Sequence, residues 1–192
     1  LQIIALLCAE KSSAIIVCPT TLLLNWQEEI KKFAPWLKVS IVMGSQSERK
    51  AAVDNRGDAD VIITSYDLIR RDVELYEGIT FDYAVADEAQ NIKNPDTKNA
   101  RAVKKLNARH KFALTGTPVE NHLGELWSIF DFVMPGFLGS YGDFRIEYEE
   151  GIVAGDEDTA DRFKKLIMPF VLRRLKGDVL KELPPKIESK LT

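Results

Sequence analysis

The chain has 192 residues, enough for one sizeable core and an extension when roughly 150 residues are allowed per domain. Lys and Arg total 26 against 29 Asp and Glu, a formal net charge of -3, so the chain is neither a uniformly basic nucleic-acid binder nor an acidic disordered segment. Any phosphate-binding face must therefore be local.

The N-terminal LQIIALLCAE, residues 1–10, has no basic lead-in, is too short to span a bilayer and meets Glu10 and Lys11 at once. It predicts a helix, with neither a signal peptide nor a membrane partner. Cys8 and Cys18 sit in apolar surroundings without metal-type spacing, which points to reduced thiols and an intracellular protein.

The next segments alternate between short β-branched apolar runs and stretches with helical spacing. AIIVCP (14–19), VSIVM (39–43), DVIITSY (60–66), FDYAVAD (81–87) and KFALTG (111–116) read as strands. Their near-continuous hydrophobicity predicts an α/β fold whose parallel sheet is covered by helices on both faces. Leu23, Trp26, Ile30 and Phe33 recur at three- and four-residue steps, as do Leu123, Leu126, Trp127, Phe130 and Val133, so each set predicts one apolar helix face. From Pro135 onward glycines punctuate the chain, the acidic GDEDTAD (155–161) follows, and no further strand of this type occurs. The expected organisation is a sheet domain over 1–134 and a helical appendage over 135–192, with Pro169 kinking or ending a helix that carries Phe163, Leu166, Ile167 and Phe170.

In an open parallel sheet, ligands sit beyond the carboxyl ends of the strands. Those ends carry Pro19, Thr20 and Thr21, then Thr64, Ser65 and Tyr66, then Asp87 and Glu88, then Thr115, Gly116, Thr117 and Pro118. A Ser or Thr there can cap the following helix, whose N-terminus favours phosphate oxygens. Capping alone explains any single junction, whereas several junctions around an acidic pair fit a groove that tracks a nucleic-acid backbone beside a nucleotide site. In a phosphoryl-transfer site an Asp ending a buried strand holds Mg²⁺ through water, and a neighbouring acid orients or deprotonates the attacking water. Asp87 suits the first role and Glu88 the second; a solvated acidic pair opening a helix is the alternative.

DEAQNIKNPDTK (87–98), ALTGTPVENHLGELWSIFDFVMPGFLG (113–139) and FVLRRLKGDVLKELPPK (170–186) together resemble the first RecA-like lobe of the Swi/Snf-type ATPases of helicase superfamily two. IVCPTTLLLNWQEEIKKFAP (16–35) and VIITSYDLIRRD (61–72) are similar to earlier motifs of that family, so the resemblance covers nearly the whole chain. It implies a P-loop NTPase fold, ATP and Mg²⁺ as cofactors, and double-stranded DNA as partner. Asp87, Glu88, Ala89 and Gln90 would form a DEAH-like box, with Asp87, Glu88 and Gln90 catalytic. Thr115, Gly116, Thr117 and Pro118 would couple nucleotide state to DNA grip.

Pro19, Thr20, Thr21, Asn25 and Trp26, with Ser65 and Tyr66, would fall in segments facing the DNA backbone, although the helical spacing of Trp26 also fits core packing. Lys93 and Asn94 could reach a phosphate or lie in a solvated loop. Arg173 and Arg174 belong to an LRR segment that braces two lobes or touches DNA. Gln90 in the fourth box position resembles the prokaryotic branch, which implies a cytoplasmic, nucleoid-associated monomer; a eukaryotic parent would be nuclear. The family's glycine-glycine-lysine-threonine phosphate loop and its second RecA-like lobe are absent from the 192 residues, so the resemblance implies a fragment of a translocase, inactive alone. A strand-separating helicase and an ATPase-dead scaffold are the alternatives.

Overall fold

The computed structural model describes residues 1–10, 12–116 and 122–174. The first helix, α1 (Gln2–Ala9), leads into β1 (Ala14–Cys18), a short turn of 3-10 helix at Thr20–Leu22, and α2 (Leu23–Phe33). Then come β2 (Val39–Ile41), α3 (Gln46–Asp54), β3 (Val61–Ser65), α4 (Tyr66–Asp72), β4 (Thr80–Asp87), α5 (Lys98–Lys104), β5 (Asn107–Leu114) and α6 (Leu123–Val133). Shorter helices close the described chain: α7 (Tyr141–Phe144), α8 (Glu150–Val153) and the longer α9 (Glu157–Ile167). No helix among the described residues is long and apolar enough to cross a membrane.

The five strands form one sheet in the order β2-β3-β1-β4-β5, and every pairing is parallel. The alternation of side chains along each strand sorts the core into two layers. Ile15, Val17, Ile62, Ala84 and Ala86 point to one face, where they meet Val53 of α3, Ile69 of α4, Val103 of α5 and Phe132 of α6. Ala14, Ile16, Cys18, Ile63 and Val85 point to the other, against Ile4 and Leu7 of α1 and Leu23 and Ile30 of α2. The three central strands are therefore apolar almost throughout, as an all-parallel sheet covered on both sides requires.

The sheet edges depart from the sequence reading. β5 begins at Asn107 rather than near Lys111, because pairing with β4 starts at Thr80 opposite Asn107 and does not need apolar side chains on an edge strand. It ends at Leu114, which leaves Thr115 and Gly116 in the loop beyond. β2 likewise stops at Ile41, two residues short of the apolar run. Phe33, expected on the buried face of α2, is the helix's last residue and is exposed. Both cysteines are free.

By its contacts the chain separates into two compact units, Leu1–Arg145 and Ile146–Thr192. In the second, α9 packs closely on α8 and on the turn before it: Tyr148, just before α8, and Phe163 place their rings 5.2 Å apart, and a Cβ on Gly151 of α8 would come within 3.4 Å of Thr159. α9 is capped by Asp156, whose carboxylate accepts from the Asp158 and Thr159 amides, and it gives way at Met168 to a turn of 3-10 helix containing Pro169. In the first unit Phe132 is sealed between α6 and the sheet at 1% exposure. Phe132→Ala is expected to cost about 3 to 5 kcal/mol in a urea-unfolding measurement; a cost below about 1 kcal/mol would mean that α6 is not docked as described.

Candidate active site at the carboxyl edge of the sheet

Strand register decides which side chains meet. Cys18 is paired with Ser65, Val17 with Ala86, and Asp87 with Leu114, so the carboxyl ends of β1, β3, β4 and β5 finish almost level. β1 lies between β3 and β4, and the chain leaves it toward β2 and β3 before crossing to β4. That reversal of direction opens the crevice in which such folds bind ligands. Asp87 is the last residue of β4 at this point.

Both Asp87 carboxylate oxygens are held. Oδ1 accepts the Glu88 backbone N–H at 3.0 Å, and Oδ2 accepts the Trp26 indole N–H at 2.8 Å. The Asp87 carbonyl accepts the Tyr66 hydroxyl at 2.7 Å. The acid therefore has one orientation, and a carboxylate oxygen accepting one bond retains capacity for a second donor such as a metal-bound water. Its charge reaches its neighbours. Burial pushes the Cys18 thiol up to about 12, with the Asp87 carboxylate adding to the shift, so Cys18 stays protonated. Burial likewise raises Tyr66 well above the usual phenol range, again reinforced by Asp87, so it remains a hydroxyl donor.

Glu88 adopts the left-handed conformation, φ 52° and ψ 54°, alone among the described non-glycine residues. A residue with a Cβ takes it at a cost of about 1 to 2 kcal/mol. The turn of 3-10 helix Ala89–Ile92 begins immediately, and Ala89 and Ile92 are fully buried beneath it. Glu88 is thus turned away from the strand direction toward the rim. Gln90 Nε2 donates to Glu88 Oε2 at 2.7 Å, and Thr115 Oγ1 donates to Gln90 Oε1 at 3.0 Å. Asp87, Glu88, Gln90 and Thr115 thereby form one connected path from β4 to the loop after β5. Helix α6 braces the same turn, since Ser128 Oγ donates to the Ile92 carbonyl at 2.7 Å and the buried Glu125 pairs with the Lys93 ammonium at 3.2 Å.

The other expected site residues divide by exposure. Thr20, Thr21, Asn25 and Asn94 are exposed and Pro19 is half-buried, so these offer surface at or near the rim. Thr20 caps no helix through its side chain; the residue before the 3-10 turn is Pro19. Ser65 and Tyr66 stand at the same strand end but are 2% and 3% exposed, with their side chains facing inward. Ser65 Oγ accepts from the Leu68 amide at the start of α4, and Tyr66 holds Asp87, so neither side chain presents a surface to a nucleic-acid strand. Lys93 is committed to Glu125. Asn94 closes its own loop, accepting from the Asp96 amide at 2.9 Å and, through its carbonyl, from Thr97. Arg173 and Arg174 are exposed within the second unit. Thr117 and Pro118 lie outside the described residues. Among the described residues no cluster of three or more His, Cys, Asp or Glu could form an all-protein metal site, so a cation here would need ligands beyond Asp87 and Glu88.

A sequence profile of the SNF2-related domain matches residues 1–192. This chain belongs to that family. Among curated relatives, the TATA-binding protein-associated factor mot1 of Schizosaccharomyces pombe is 42% identical over 186 residues, covering 91% of this chain and 10% of its own length. The putative ATP-dependent helicase/translocase YwqA of Bacillus subtilis is 44% identical over 188 residues, covering 94% of this chain and 20% of its own. Among solved structures, the Sulfolobus solfataricus SWI2/SNF2 ATPase core in complex with dsDNA superposes with a TM-score of 0.84 at 41% identity, over 95% of this chain and 39% of that one. The corresponding ATPase core domain gives 0.80 at 39% identity. The SNF2 chain described here thus has the RecA-like fold and spans a tenth to two fifths of these relatives. Its relatives include both eukaryotic and bacterial proteins.

The strain at Glu88 can be measured. Glu88→Gly removes the Cβ that makes the conformation costly, which offsets the roughly 0.5 to 1 kcal/mol by which glycine loosens an unfolded chain. The variant is expected to unfold in urea with a free energy within about 1 kcal/mol of the parent, or above it. A loss beyond about 2 kcal/mol would show that the Glu88 side chain stabilises the fold and that the turn is not strained.

Proposed function

We propose that this chain is the first lobe of a DNA-dependent ATPase that translocates on double-stranded DNA, with Asp87, Glu88 and Gln90 as its catalytic residues. The observation that carries the reading is the acidic pair at the crevice of the sheet, joined by hydrogen bonds through Gln90 to Thr115. The DNA-bound archaeal relative and the ATP-dependent designation of the bacterial one support it. Gln90 in the fourth box position supports a prokaryotic parent, with a second lobe completing the site and the protein acting as a monomer on the nucleoid.

The residues fit a nucleotide-bound cation. Asp87 is fixed from both sides and retains acceptor capacity, so it would hold Mg²⁺ through water; the ion supplies charge neutralisation at the phosphates. Glu88 has one oxygen engaged by Gln90, and among the described residues none donates to the other, which is left to accept a proton from a water. Gln90 orients that carboxylate. A shift of Thr115 in the loop after β5 moves Gln90 and hence Glu88, which gives the coupling motif a physical route to the water. Pro19, Thr20, Thr21 and Asn25, with Asn94, supply polar groups and backbone amides for a phosphate backbone, a contact that positions a strand without reading its bases.

Two experiments test this reading. In the longer parent protein, Glu88→Gln keeps the shape of the side chain and loses the base, so DNA-stimulated phosphate release is expected to fall by about 10² or more while ATP binding is retained. Near-normal turnover would remove Glu88 from the catalytic role, and a parent that releases no phosphate with or without DNA would favour a scaffold.

The second experiment uses the 192-residue chain itself. It contains no Gly-Lys-Ser or Gly-Lys-Thr run to cradle the β- and γ-phosphates. Calorimetric titration with Mg-ATP is expected to give a Kd no tighter than about 1 mM, or roughly -4 kcal/mol. Micromolar binding would place a phosphate site elsewhere in these residues.

A further inference from the structure

Trp26 lies directly after the exposed Asn25 on α2, the helix that follows Thr20 and Thr21, yet its indole N–H reaches Asp87 across 61 residues of sequence. Its ring packs partly against the layer formed by Leu23 and Ile30, so the indole is fixed to α2 and cannot follow Asp87 independently. An indole N–H only donates, and its hydrogen bond weakens as the donor–acceptor distance passes about 3.2 Å or the angle falls toward about 120°, so the Asp87 oxygen is held to a narrow range of positions. Tyr66 makes the second hold, from the first residue of α4 to the Asp87 carbonyl. Two segments that leave neighbouring strand ends thus meet at one acid, through donors that core packing alone would not require.

We propose that Trp26 is a positioning residue for Asp87, and that with Tyr66 it transmits the seating of a DNA strand on the rim to the acidic pair. The transmission rests on the DNA reading above; the positioning does not. When the Thr20–Asn25 segment is drawn toward a phosphate backbone, α2 moves as a body and Trp26 carries Oδ2 with it. Oδ1 is tied to the Glu88 amide, so a rotation of the Asp87 carboxylate is felt at Glu88. DNA contact then changes the orientation of both acids without touching either.

The test is hydrogen–deuterium exchange, read by mass spectrometry on the longer parent protein, with Trp26→Phe and Tyr66→Phe. Each variant keeps a ring and removes one donor. Without DNA, both are expected to exchange the amides of residues 86–92 about three- to tenfold faster than the parent, because the turn loses one of its holds. With duplex DNA, the parent is expected to slow in both 19–26 and 86–92, and Trp26→Phe in 19–26 alone. Unchanged exchange over 86–92 in Trp26→Phe without DNA would overturn the positioning role and leave Trp26 a packing residue. If DNA slows both segments equally in Trp26→Phe, the transmission is overturned. If DNA fails to slow 19–26 even in the parent, the DNA reading of the rim fails, and faster exchange over 86–92 without DNA still upholds the positioning. Should Trp26→Phe fail to fold, Tyr66→Phe decides the clamp by the same measurement on 86–92.

Discussion

The pairing register of β4 is the constraint on which the site depends. Side chains alternate along a strand, so a slip of one residue would carry Asp87 to the opposite face and exchange the two core layers. The register is fixed by burial on both sides: Ala84 and Ala86 fit one layer, and Tyr83 and Val85 fit the other. Flanking strands fix it again, with β1 paired through Ala86 and β5 paired through Asp87 itself. The core thus specifies the position of the acid, although Asp87 itself belongs to neither core layer.

Beyond Asp87 the control changes from burial to hydrogen bonding. Glu88 leaves the strand in a conformation that apolar packing alone would not select, and it stays there because the turn after it is anchored. Ala89 and Ile92 are buried beneath the turn, Ser128 holds its last carbonyl, and Glu125 holds Lys93. Each anchoring bond contributes on the order of 1 kcal/mol, about the size of the strain it opposes. α6 supplies two of these anchors, and Thr115 reaches the same turn through Gln90, so the turn is held from both sides.

The sheet was legible in the sequence because its interior strands are continuous apolar runs. Its edges were not: Asn107–His110 belongs to β5 through backbone pairing that leaves little trace in side-chain type. The acid pair could be found from an apolar strand ending in two carboxylates, followed one strand later by a Thr-Gly-Thr-Pro loop. Ser65 and Tyr66 could be placed at their strand end, but the inward turn of their side chains could not, since a position at the rim does not settle whether a side chain turns in or out. Trp26 was ambiguous for a simpler reason. Helical spacing records that one side of the ring is packed, and it is silent on the partner of the indole N–H.

The two kinds of control suit different tasks. Burial of Ile16, Ile63 and Val85 stabilises the sheet by about 1.5 to 3 kcal/mol for each side chain, and the sum over the core layer is well beyond what a ligand at the rim contributes. The bonds from Trp26, Tyr66, Gln90 and Thr115 are individually comparable to thermal energy multiplied by two or three. A strand of DNA or a nucleotide can shift an equilibrium only by its differential affinity for the two arrangements, typically a few kcal/mol. A switch within reach of such ligands must therefore be built from contacts of that size, set on a scaffold whose own contacts are too large to disturb. The carboxyl edge of this sheet combines contacts of both sizes: rigid strands deliver the acids, and weak directional bonds orient them.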